Sequence, residues 1–442
     1  MLRIRWSDPQ PDTGPTPGAW KKVALITATL FLNFPFWFIH GNDIFLFHSA
    51  AINAVVVAIG SVVLTALFFI GPATTSQQAK TPLLNVVEHS LGLIPAWYAR
   101  LCCISFLVLW MAELAAVIAS WQAQWIIGRE ISQIESTAVA AAILVFLFLT
   151  GLQSWRMSSK QALFTNKLAV AVLFAALIRV RSGWPAALHW LQASDHAPTL
   201  WDLCHGFSIL GFYVAPLSLL ATNLSSALTA SKKDVMKTAV MGIALPLCGA
   251  LLLVGVIDVA VFASEYYRPS LNPNIAMALW GKAARTGLRG TMMIAAITTF
   301  GAARFGARAL NDVVSIPALG KRRIWLVLSV CIWASAWIAG HEWFIDPSTL
   351  FEISATSLAI VAAVLTGDFA TGFRRDQRTP VDWVGSAALL AGLATFTCGW
   401  FFDPSAERWW HPWLFPSYGV AFIVCFLGRV RKVRHRPSSQ GL

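Results

Sequence analysis

Apolar runs of about twenty residues recur along almost the whole chain, and this repetition limits the fold more than any other feature. They lie near 22–42, 50–71, 96–127, 137–155, 163–180, 203–229, 235–263, 290–314, 323–340, 349–369, 383–402 and 412–430. A helix rises about 1.5 Å per residue and a bilayer's hydrocarbon core is about 30 Å thick, so each run can cross it. The pattern predicts an all-α polytopic membrane protein of about 12 transmembrane helices. Composition agrees, because 57% of the 442 residues are hydrophobic and only 12% are charged, where a soluble chain carries about a quarter. Little length is left for a soluble domain.

The net charge of +12 would suit a nucleic-acid partner, but its placement follows the membrane. Basic residues cluster in alternate connections: Arg3, Arg5, Lys21 and Lys22; Arg156, Lys160 and Lys167; Lys232, Lys233 and Lys237; Lys321, Arg322 and Arg323; Arg374 and Arg375; and Arg429, Arg431, Lys432, Arg434 and Arg436. The other connections hold fewer, so the positive-inside rule puts both termini in the cytoplasm of a cell (inner) membrane. Residues 1–19, rich in proline, read as a disordered cytoplasmic tail with no cleavable signal peptide, and 431–442 as a basic one. The seven cysteines have no Cys-x-x-Cys spacing and read as small core residues. No histidine pair, Gly-x-Ser-x-Gly or phosphate-binding glycine loop is present, so neither a metal centre, an intramembrane hydrolase nor an ATP-driven pump is indicated. No cofactor is expected. His40, His89 and His205 sit at predicted membrane boundaries and read as solvated or capping, and tryptophans such as Trp20, Trp97, Trp184 and Trp383 read as interfacial anchors.

Two spans carry interruptions. Span 1 contains Asn33-Phe34-Pro35 and span 6 contains Gly211-Phe212-Tyr213-Val214-Ala215-Pro216. Proline lacks an amide hydrogen and glycine relaxes helical geometry, so both segments are expected to unwind near mid-membrane. Paired interruptions five spans apart are the pattern of carriers built from inverted repeats, with solute and ion at the breaks.

Ionisable residues inside spans are candidates for function. Glu113 follows Trp110 in span 3, and Arg304 in span 8 could pair with it across the site. Asp258 and Glu352 lie nearer span ends and read as solvated. Thr298 and Thr299 offer adjacent hydroxyls to a small hard cation, together with carbonyls freed at the span 1 break.

Several motifs, in order, resemble the nucleobase:cation symporter-1 family of cytosine/purine, uracil, allantoin and hydantoin permeases. They are the polar segment Val87-Glu88-His89-Ser90-Leu91-Gly92 after span 2, read as a loop; Leu109-Trp110-Met111-Ala112 in span 3; Asn272-Pro273-Asn274 before span 8; and Leu365-Thr366-Gly367-Asp368-Phe369 with Arg374-Arg375 after span 10. The resemblance implies a five-plus-five inverted repeat (LeuT-like, APC superfamily) with two C-terminal helices: 20–180 as the first repeat, 201–370 as the second, and 381–430 as spans 11 and 12. It also implies a permease importing a small planar nitrogenous heterocycle by alternating access, coupled to Na⁺ or H⁺. By position, Trp110 matches the ring on which such a base stacks, with Glu113, Pro35, Phe36, Gly211, Phe212, Phe300 and Arg304 around it. Phe34, Thr298 and Thr299 fall where a coupling Na⁺ would bind.

The departures narrow this. Late in span 6 the chain has Leu224-Ser225-Ser226-Ala227 where many members carry charges, Leu114 stands where an amide is expected, and Phe300 and Arg304 replace asparagines. Arg304 would then read an anionic or carbonyl-rich ligand, or pair with Glu113 in place of the sodium. The alternatives are an amino-acid or other small-solute carrier of the same fold and, from another class, a non-transporting membrane sensor or scaffold. Membrane lipid is the surrounding partner, and the sequence leaves the oligomeric state open.

Overall fold

The computed structural model describes residues 18–33, 37, 50–79, 83–127, 138, 142, 159–179, 181, 184–185, 199–228, 231–265, 306, 309, 313, 347–372, 379–402 and 413–434. These residues are helical apart from short turns, as expected where lipid offers no partner to an unpaired peptide group. The helices are α1 (Ala19–Phe31), α2 (Ala50–Thr65), α3 (Gly71–Ala79), α4 (Leu83–Leu91), α5 (Leu93–Ile127), α6 (Ser159–Arg179), α7 (Leu200–Leu228), α8 (Lys232–Ala239), α9 (Leu245–Glu265), α10 (Pro347–Thr371), α11 (Trp383–Phe402) and α12 (Leu414–Arg434). A π-helical turn at Ala66–Ile70 joins α2 to α3, and another at Val240–Ala244 joins α8 to α9, so each pair makes one span. Among the described residues 8 helices are long and apolar enough to cross a membrane. The predicted spans at 137–155, 290–314 and 323–340 lie almost wholly outside the described residues.

The two π-turns are the irregularities that spans 2 and 7 present to their neighbours. The turn at Val240–Ala244 packs on α1, where a Cβ on Gly242 would lie 3.0 Å from Ala24 Cα. In the other, the Leu67 carbonyl accepts hydrogen bonds from Thr366 Oγ1 of α10 at 3.0 Å and Tyr418 OH of α12 at 3.2 Å. A π-turn loosens the ladder and leaves carbonyls short of donors, and here hydroxyls from two other spans fill the gap. Elsewhere α2 and α7 approach closely at Gly60 and Gly206, where a Cβ would meet Phe207 at 3.0 Å and Val56 at 2.7 Å. Such small residues allow the close contact that replaces the hydrophobic effect between helices in lipid.

Three readings of the sequence are corrected. The segment read as a loop after span 2 is helix α4, and its Leu83, Val86, Val87 and Leu91 are buried. Arg429, counted above among connection charges, is 0% exposed. Its Nε donates to Asp368 Oδ1 at 2.6 Å, its Nη1 to Asp382 Oδ1 at 2.8 Å and its Nη2 to the Ser90 carbonyl at 2.9 Å. The guanidinium fork satisfies three elements at once, which is why a charge can be housed there. Lys432 Nζ, at the edge, lies 3.7 Å from Asp382 Oδ2. Glu352 is the third correction: it is 2% exposed, and not solvated. His205 is likewise buried, and Cys398 is exposed whereas Cys102, Cys103 and Cys425 are core residues.

The α4–α5 junction is sewn to the start of α11 by backbone. Leu93 N donates to Thr379 O at 3.0 Å, Ile94 N to Pro380 O at 3.0 Å, and Asp382 N to Leu91 O at 2.9 Å. Gly92 turns the chain there with φ +93°, a conformation that favours glycine. Arg100, about two turns further along α5, pairs with Glu88 of α4 at 3.0 Å and lies 4.6 Å from the Trp97 ring centre. Above this knot α5 runs beside α10, with Tyr98 OH and Ser357 Oγ 2.7 Å apart.

Candidate functional site

The span 1 interruption is present. Helix α1 stops at Phe31, Leu32 closes it by donating its backbone N–H to Ala28 O at 2.8 Å, and Asn33 is not helical. Helical geometry is regained by Trp37.

The span 6 interruption is not. Helix α7 runs unbroken from Leu200 to Leu228 with Pro216 inside it. The reason lies in what Gly211 faces: a Cβ there would come within 2.9 Å of Leu414 Cδ2 and 3.7 Å of Phe68. Gly211 therefore makes room for α12, and glycine used for close packing leaves the ladder intact. Proline is tolerated in a membrane helix when neighbours and local adjustment accommodate the carbonyl it strands. Gly211→Ala should accordingly be mild. It gains about 0.5–1 kcal/mol of helix propensity against a small shift of a flexible leucine end, so the melting temperature in detergent should move little; loss of folded protein would show that the glycine is needed for its backbone.

Around the end of α1 five aromatic side chains, all buried, meet from four spans. Trp37 stands edge-on to Tyr213 of α7 with centroids 6.1 Å apart; Tyr213 lies 5.5 Å from Phe351 of α10; Phe351 lies 4.9 Å from Phe106 of α5; and Phe106 stacks on Trp110, 6.4 Å away at 13°. Trp37, Phe106, Trp110 and Tyr213 are 0% exposed. Span 8 closes on the same ring, since a Cβ at Gly306 would lie 2.8 Å from Trp110 Cζ3 and 3.1 Å from Met111 Cγ. Trp110 and Tyr213 fall near the middles of their helices, so the cluster sits deep in the membrane. Each such pair contributes about 0.5–1.5 kcal/mol beyond its area, and a planar solute entering the cluster would exchange ring contacts for ring contacts.

Of the residues singled out from sequence, Trp110 belongs to this cluster, Phe212 is buried beside Tyr213 in chain order, and Gly211 faces away toward α12. Phe34, Pro35, Phe36, Thr298, Thr299, Phe300 and Arg304, and the side chains of Glu113 and Asp258, lie outside the described residues. Four cluster members were not foreseen: Trp37, Phe106, Tyr213 and Phe351. Phe106 sits one helical turn before Trp110, a spacing that puts both on one face, and Trp37 follows Pro35 by two residues. Tyr213 and Phe351 carry no local signal. Among the described residues no group of His, Cys, Asp and Glu could hold a metal ion.

Comparison with known proteins places this arrangement. No protein-family model matches the sequence, and no curated protein matches it. The nucleobase-cation-symport-1 family transporter Mhp1, in a closed conformation with bromovinylhydantoin bound, superposes with a TM-score of 0.63 at 14% identity, over 95% of this chain and 92% of that one. Mhp1 in its inward-facing conformation gives 0.62, over 95% and 91%. A substrate-bound, outward-open Na⁺-coupled sialic acid symporter gives 0.61 at 11% identity, over 98% and 93%. The chain has the LeuT-like transporter fold. The expected all-α polytopic class is met and the protein is integral to a membrane, with the likeness extending over nearly the full length of both relatives. Its broken first span and the aromatic rings of spans 3 and 6 lie within that shared architecture.

Proposed function

We propose that this protein is a secondary transporter that carries a small planar nitrogenous heterocycle, such as a nucleobase or related compound, across a cell membrane by alternating access. The observation that carries the reading is the cluster of Trp37, Phe106, Trp110, Tyr213 and Phe351, gathered from four spans at the interruption of α1. Stacking faces recognise flat, π-rich solutes, and a chain break inside lipid survives only where protein or a wet cavity lines it. The solute Mhp1 holds, a hydantoin, is of that class. Trp110 is assigned as the stacking ring, with Phe212, Glu113, Phe300 and Arg304 as the polar and aromatic surround, and Pro35 and Phe36 at the break. Thr298, Thr299 and the backbone at Phe34 are assigned to a coupling Na⁺, with H⁺ as the other driver. The excess of cations in alternate connections, which survives removal of buried Arg429, supports cytoplasmic termini.

A second reading is a carrier for a carboxylate-bearing solute, favoured by the nearly equal likeness to the sialic acid symporter. A thermal-shift screen of nucleobases, hydantoins, amino acids and sugar acids on the purified chain separates the two. We expect a flat heterocycle to stabilise it and Trp110→Ala to weaken that ligand by about tenfold or more. Uptake of the same compound into proteoliposomes, with and without a sodium gradient, then assigns the ion. A ligand indifferent to Trp110→Ala, or stabilisation only by non-planar acids, would overturn the proposal.

A further inference from the structure

The carbonyl at the end of α1 has a donor that a regular helix would not supply. In an unbroken helix Phe31 O accepts from the amide of residue 35, but residue 35 is proline and has no amide hydrogen. Instead the Trp37 indole Nε1–H donates to Phe31 O at 2.8 Å. The Trp37 amide meanwhile donates to Asn33 O at 3.2 Å, which restarts helical bonding beyond the break. Phe31 and Trp37 are both 0% exposed, so water cannot substitute for the indole. The same ring presents its edge to Tyr213 at 6.1 Å, and Tyr213 in turn contacts Phe351.

We propose that Trp37 is a positioning residue of the solute site: its indole N–H replaces the hydrogen that Pro35 lacks and so fixes the broken end of α1 against the rings of Tyr213 and Phe351. A buried carbonyl stripped of its donor is unfavourable, and the chain relieves that cost by shifting the break, which moves one wall of the cluster. Were Trp37 only a space-filler, its ring volume would matter and its hydrogen would not. The functional part of this inference rests on the transporter reading; the hydrogen-bond part does not.

The test removes the hydrogen and keeps the shape. Replacing Trp37 with β-(3-benzothienyl)alanine, in the full chain in lipid nanodiscs, exchanges N–H for sulfur. The melting midpoint should fall by on the order of 2–4 °C, and the compound that stabilises the parent in the screen should bind about 5–30-fold more weakly. Pro35→Ala restores an amide hydrogen to residue 35. In that background the same replacement should lower the melting midpoint by less than half as much, because Phe31 O then has a second donor. Equal losses in both backgrounds, or no loss in either, overturn the proposal. If the benzothienyl chain yields no folded protein, recovery of yield in the Pro35→Ala background is the same coupling, and equal failure in both is its refutation. If no compound binds the parent, the transporter reading fails alone, since the melting cycle still decides what Trp37 does.

Discussion

Arg429→Ala should abolish most of the folded protein. The substitution leaves Asp368 and Asp382, both almost completely buried, with their shared cation gone and, among the described residues, Lys432 at the rim. Breaking a buried ion pair from one side costs about 3–5 kcal/mol because the remaining charge is stranded, and here two are. It also removes the donor to the Ser90 carbonyl. Against a total stability of about 5–15 kcal/mol, this is enough to unfold much of the population. Arg429→Lys should fall between, since an ammonium keeps the charge but cannot span two carboxylates and a carbonyl in a planar fork. Replacing all three ionic residues together by neutral ones, Arg429→Met with Asp368→Asn and Asp382→Asn, should recover part of the loss. The measurement is the monodisperse yield and melting midpoint of each variant by fluorescence-detected gel filtration. An Arg429→Ala chain melting within a degree or two of the parent would mean the cluster contributes nothing.

Gly92→Ala should be comparably damaging, and for two separable reasons. Its φ of +93° strains any residue with a side chain, at about 1–3 kcal/mol. In addition, the new Cβ would lie 2.6 Å from Asp382 N and 2.6 Å from Val381 Cα, and backbone cannot swing aside as a side-chain end can. Relief requires parting the α4–α5 junction from the start of α11, which gives up the bonds of Leu91, Leu93 and Ile94 to that segment. Gly372 supplies the control, with φ +63° and nothing within 4 Å of its Cβ position. Gly372→Ala therefore carries the strain alone. Thermal melts should show a large drop for Gly92→Ala and a small one for Gly372→Ala. Equal drops would place the whole effect in the backbone angle and none in the packing.

The helices of this protein were readable because each must satisfy its own peptide groups in lipid, which forces a long apolar run for every crossing. Span 11 was placed at 383–402 and is Trp383–Phe402. The expected interruption of span 1 is met at Phe31, whose carbonyl would need the amide hydrogen that Pro35 lacks, although the same lack at Pro216 leaves α7 unbroken. Gly211 was misread because glycine gives the same local signal whether it frees the backbone or admits a neighbour, and Leu414 lies far along the chain. Arg429 was misread for a related reason. Near the end of an apolar run it looks like one more interfacial cation, and its partners Asp368 and Asp382 are 61 and 47 residues away. The aromatic cluster was half visible: Trp110 stood out by its motif, while Phe351 joins it through the crossing of α5 with α10 and Tyr213 through that of α7 with α10.

The seam between α5 and α11 also orders events during synthesis. The Ser90 carbonyl leaves the ribosome 339 residues before the arginine that binds it, and Leu91 O waits almost as long for Ser386 and Asp382. Until α12 is threaded into the bilayer, this early stretch must borrow donors from water or from the insertion machinery. Helices α11 and α12 thus complete hydrogen bonds that the α4–α5 junction leaves open from much earlier in the chain.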